Sequence, residues 1–65
     1  MKLLSDLESA FPLGTLVNDG YSNFSVAGYS PSFGAVRVMP VNRQGEQLGS
    51  TAHWRCADVL SIGII

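Results

Sequence analysis

Charge is the first thing this chain has little of. Only 14% of its 65 residues are Asp, Glu, Lys or Arg, against about 25% in ordinary globular chains. A domain of this length leaves a large share of its surface in water, burying only about 60% of what its unfolded chain exposes. Uncharged surface must then meet something, and the shortage predicts contact with a partner protein or with another copy of the chain. Cysteine is nearly missing too. Cys56 alone cannot form an internal disulfide, and no Cys/His spacing suits a zinc site, so the expected setting is a reducing cytoplasm with no metal. No apolar run approaches the roughly 18 residues that a membrane helix needs. Asp6 and Glu8 interrupt the apolar start Met1 to Leu4, which argues against a secretory signal and for no membrane partner.

Other absences bear on chemistry. The seven glycines are scattered and none builds a Gly-rich turn ahead of a lysine, so no phosphate-binding loop and no cofactor is expected. Asp6 and Glu8 are two apart, which points them away from each other on a helix and gives paired-carboxylate hydrolysis no support. His53 can be written into a set with Asp58, Ser50 and Ser61, but no strained nucleophile turn accompanies it. In so short a chain, core and walled pocket would compete for the same side chains. The expectation is a protein that is not an enzyme; a site built across a homo-oligomer is the form an enzyme would have to take.

What is present is a change of period. Leu3, Leu4, Leu7, Ala10 and Phe11 recur at spacings of three and four, predicting a short helix over residues 1–11 that Pro12 ends. Ser5 and Glu8 fit a capping box if the helix begins at Ser5 rather than Lys2. Beyond Pro12 the pattern alternates. Strands are predicted at 13–17, at 23–29 with Phe24, Val26 and Gly28 on one face, at 35–39 with Val36 and Val38 inward, and within 47–55. Turn formers separate them at Asn18-Asp19-Gly20, Ser30 to Gly34 and Asn42 to Gly45, and Pro40 is assigned to a strand end or edge. A turn at Cys56-Ala57-Asp58 precedes a last apolar segment, Val59 to Ile62. Short strands at about ten-residue intervals suit a closed barrel, which hides edges that an open sheet would expose. The expectation is one domain over 1–65: helix, barrel over 13–62, apolar tail over 63–65.

The segments Gly14 to Val17, Phe24 to Tyr29, Val36 to Val38 and His53 to Ile62 resemble an SH3-like small β-barrel. The resemblance implies a mainly β fold: a short N-terminal α-helix followed by a five-stranded SH3-like barrel. In it Trp54, Asp58 and Leu60 stand where an aromatic residue, a one-turn 3₁₀ segment with an acidic residue and a short apolar strand finish the barrel. The last third is similar to the end of the small-barrel family of photosystem I, although that family's opening helix and basic residues are missing or moved. Fold likeness transmits no function.

Function is therefore sought in side chains. Phe24 and Trp54 are assigned to the core, Cys56 to a small buried position, and Arg37 to a solvated strand face. Tyr21, Tyr29, Phe33, Arg37, Met39, Ile64 and Ile65 are the candidate protein interface, being of the types that collect at interface centres and too many to fit inside. The tail either packs across the barrel or pairs as an edge strand with another copy. Residues 1–19 carry a net −2 and residues 20–57 a net +2, so Arg37, Arg43 and Arg55 interleaved with aromatics form the alternative, a surface for single-stranded nucleic acid. The acidic balance of the chain opposes it. The expected function is a non-catalytic protein-interaction module: a small homo-oligomer, a subunit of a larger complex, or an inhibitor of the kind phage and mobile elements encode. Stretches 20–36 and 59–65 contain no charge, and they are where the interface is sought.

Overall fold

The computed structural model describes residues 4–65. One short helix, α1 (Leu4–Ala10), precedes five strands: β1 (Leu16–Asn18), β2 (Asn23–Ser30), β3 (Ala35–Val41), β4 (His53–Cys56) and β5 (Ser61–Ile62). A 3₁₀ turn, η1 (Ala57–Val59), joins the last two. All five strands form one antiparallel sheet in the order β4-β3-β2-β1-β5. The protein is mainly β.

The two edges of this sheet are consecutive in sequence, and that forces its shape. Neighbouring strands lie about 4.8 Å apart, so a flat five-stranded sheet would separate its edges by about 19 Å. The link from Cys56 to Ser61 includes η1, and its five Cα steps reach only about 14 Å when one 3₁₀ turn is among them. The sheet must curl. Its concave side holds the core: Leu7, Phe11, Val17, Phe24, Val26, Val36, Val38, Ala57 and Leu60.

The helix is held by two side chains. Leu7 and Phe11 lie one turn apart and are both buried, and the Phe11 amide donates to the Leu7 carbonyl at 2.8 Å. Leu4 and Ala10 belong to the stripe expected from the sequence but are exposed, Leu4 by 47%. A seven-residue helix cannot bury a full stripe against a curved sheet; among its described residues Leu7 is the buried one, with Phe11 just past its end. Leu3, also part of that stripe, lies outside the described residues, as do Lys2 and the candidate helix start there.

Turn chemistry sets the register. The Asp19 carboxylate accepts from the amides of Tyr21 and Ser22 at 2.9 and 2.8 Å, and the Asn18 side chain accepts from Gly20 at 3.0 Å. Pro31 and Gly34, the latter at φ +62°, turn β2 into β3. Asn42 accepts from the amides of Gln44 and Glu46, both at 2.9 Å, closing the next turn. Pro40 lies within β3, but β4 pairs only with Ala35 to Val38, so at Pro40 that side of the strand lacks a strand neighbour. Its carbonyl accepts instead from the Leu48 amide at 2.8 Å.

One irregularity corrects the alternation read from β2. The pairing runs Val26↔Val38 and then Gly28↔Arg37, so Ala27 is an extra residue in a β-bulge. Inserting one residue reverses the faces beyond it. Gly28 leaves the face of Phe24 and Val26, and Tyr29, opposite the buried Val36, takes its place against the core. The first strand is also shorter than read, although Val26 still donates to Thr15 at 3.0 Å and Gly14 to Val26 at 2.9 Å.

Candidate functional site

The outer face of the sheet carries the features a partner could use. Val36 and Val38 point inward, so Ala35 and Arg37 point outward, with Gly28 and Ser30 beside them on β2 and Trp54 and Cys56 beside them on β4. Two cross-strand rows result, Gly28–Arg37–Trp54 and Ser30–Ala35–Cys56. Four of these six residues are small, which keeps the face low. Phe33, on the β2–β3 turn, stands at its end with 83% of its surface exposed. It joins Ser30, Ala35 and Trp54 around an open apolar cleft of about 380 Å³. On the other flank Leu4, Glu8, Pro12, Leu13, Ala27, Gly28 and Tyr29 line a second cleft of about 470 Å³.

Trp54 is therefore not a core residue: 53% of it is exposed. On β4 the inward positions are His53, opposite Val38, and Arg55, opposite Val36. Arg55 tolerates the inward direction because β4 is an edge. Its guanidinium lies 5.4 Å above the Phe24 ring, donates to the Trp54 carbonyl at 2.9 Å and pairs with Asp19 at 3.5 Å. Cys56 is likewise exposed rather than buried, since the outward phase that exposes Trp54 also governs the residue two further on.

The remaining interface candidates scatter. Tyr21 is 92% exposed on the β1–β2 turn, away from the two rows. Tyr29 packs against the core and its hydroxyl donates to the Phe11 carbonyl; burial, with Glu8 adding to it, raises its pKa above the ordinary phenol value. Met39 is half-buried opposite Ser25. Ile64 and Ile65 follow β5 back toward β2, where the Asn23 side chain accepts from the Ile65 amide at 2.8 Å and Asn18 donates to the Gly63 carbonyl at 3.1 Å. The final residues thus fold along their own chain. Of the sequence candidates, Phe33, Arg37 and Met39 lie on the outer face, Met39 one outward position beyond Arg37 and away from the Phe33 end, and Trp54 completes the group.

The three arginines do not form a stripe. Arg55 is committed to Asp19 and Phe24, Arg43 sits in the turn after β3, and Arg37 alone joins the aromatics. Asp19 has its pKa lowered, first by the Ser22 and Tyr21 amides and further by Arg55. Among the described residues, His53 shares no hydrogen bond with Ser50 or Ser61, and no three His, Cys, Asp or Glu side chains gather at metal-binding distance. No described helix is long and apolar enough to cross a membrane. Comparison with protein-family models, with curated proteins and with solved structures finds no match for this chain.

Proposed function

We propose that this protein is a non-catalytic protein-interaction module that presents the outer face of β2–β4 to a partner. The observation that carries the reading is the pairing of Phe33 and Trp54, two large aromatic side chains left largely in solvent around an apolar cleft. Exposed aromatics beside an arginine, on a surface poor in other charge, have the composition of an interface centre. The meander with its last strand paired to its first, and the one-turn 3₁₀ segment before that strand, support the finer likeness to an SH3-like barrel. A subunit of a larger assembly or a stoichiometric inhibitor would use the face in the same way, and so would a homo-oligomer.

The division of the arginines favours protein over nucleic acid. Phosphate contacts supply most nucleic-acid affinity, and here one cation, Arg37, accompanies the aromatics. The test is fluorescence of Trp54, the sole tryptophan, during titration with oligothymidylate at low and high salt, alongside selection of binders from a displayed protein-fragment library. Fragments bound by the native chain and lost on Phe33→Ser support the reading. Strongly salt-dependent quenching by the oligonucleotide, with no such fragments, overturns it.

A further inference from the structure

The two clefts and the arginine between them describe the partner's chemistry, on the premise that the outer face is a protein interface. Gly28, Arg37 and Trp54 are neighbours across β2, β3 and β4. One apolar cleft opens beside Gly28 and the other beside Trp54. Arg37 stands between them as an exposed cation without an ion pair among the described residues. Gly28 gives the face its depth: a Cβ there would come to 3.5 Å from the Arg37 Cβ, so any larger side chain would fill the space beside the arginine stem.

From this arrangement we infer that the face binds an extended acidic segment of another protein, laid across the strands, with a carboxylate over Arg37 and an apolar side chain in each flanking cleft. The spacing sets the pattern. Three strands span about 10 Å from Gly28 to Trp54; the first cleft opens beyond Gly28, and the second lies over Ser30, Ala35 and Trp54, one row along the strands, so a segment reaching both runs obliquely past Arg37. In an extended chain residues i, i+2 and i+4 point to one side and cover about 13 Å. The recognised segment is therefore apolar–x–acidic–x–apolar. Charge complementarity makes the centre acidic, since the cation has no ion-pair partner among the described residues and its apolar surroundings strengthen attraction to a carboxylate. Glu8, which lines the Leu13 cleft, disfavours a second acid at that end of the segment.

The experiment is selection from the displayed fragment library against the native chain, with binders retested on Phe33→Ser and Arg37→Ala proteins whose folding is verified by circular dichroism. The inference expects the Phe33-dependent binders to converge on the apolar–x–acidic–x–apolar pattern. A synthetic peptide of that pattern should shift Trp54 emission saturably and lose about five- to tenfold in affinity when its acid becomes Gln or when Arg37 becomes Ala. The two changes should not add, because each removes the same contact. Phe33-dependent binders with no acidic centre, or indifferent to Arg37→Ala, overturn this inference and leave the interaction reading standing. Absence of any Phe33-dependent binder overturns both.

Discussion

Arg55 and Asp19 lie on different hairpins and meet at 3.5 Å, tying the edge strand β4 to the turn that follows β1. The contact spans the curl of the sheet, and Phe24 sits beneath it. A half-buried pair at the surface contributes about 0.2–1 kcal/mol and a partly solvated cation over a ring about 0.5–1 kcal/mol. Arg55→Ala should therefore lower stability by about 1 kcal/mol, or 4–8 °C in Tm for a domain near this size. Thermal unfolding followed by circular dichroism reads it; an unchanged Tm would show that the pair contributes nothing.

Asp19 also makes stability depend on acid. Its pKa is lower folded than the usual 3.8, so its contribution is complete above the unfolded value and disappears as pH falls through the folded one. Urea midpoints should decline below about pH 4, and less steeply in Asp19→Asn, which cannot titrate.

Tyr29 acts at the opposite end of the scale. Its raised pKa means that the folded state holds the proton more tightly, so its contribution is present below the ordinary phenol value near 10 and is lost as pH rises through the folded value. Tyr29→Phe should cost about 1 kcal/mol at neutral pH by leaving the Phe11 carbonyl without its donor. It should also flatten the alkaline fall in stability measured by urea titration.

Leu7 is the helix's main anchor, with 1% of its surface exposed. Leu7→Ala should cost about 2–5 kcal/mol. A domain of this size has about 3–10 kcal/mol in total, so the variant should be largely unfolded at 37 °C by circular dichroism. A cooperative transition near that of the native chain would mean that the helix is dispensable.

Phe33→Ser is the counterpart. The side chain touches little of its own fold, and surface changes of this kind stay within about 0.5 kcal/mol. Equal urea midpoints for variant and native chains, measured together with lost binding, would separate the interface from the fold.

Turns and the central strands were legible in the sequence because their chemistry is local. Asn18-Asp19-Gly20 and Asn42 with Gly45 announce reversals through side chains that bond their own backbone, and Pro31 with Gly34 through the backbone angles they favour. Val36 and Val38 alternate with Arg37, and the core follows from that alternation. Trp54 defeated the same reasoning. Size and apolarity placed it inside, but on an edge strand the phase is set by neighbours, and Arg55 takes the inward position because its head can still reach water and Asp19. The bulge at Ala27 was hidden for a related reason: an extra residue in one strand is visible only against its partner's register. The candidate face was half legible. Phe33 and Arg37 were named for their types, whereas Gly28 acquires meaning only from the strand beside it.

The connection through η1 has a kinetic consequence. β1 to β4 pair with sequence neighbours, but β5 must find β1 across the whole meander; Asn18 and Gly63, which bond there, are 45 residues apart. Closing so long a loop costs entropy before any contact repays it. The β1–β5 seam should thus form last in folding and open first in unfolding, with the four-strand meander preceding it. That order leaves the Phe33–Trp54 face, which lies wholly on the meander, assembled before the molecule is closed.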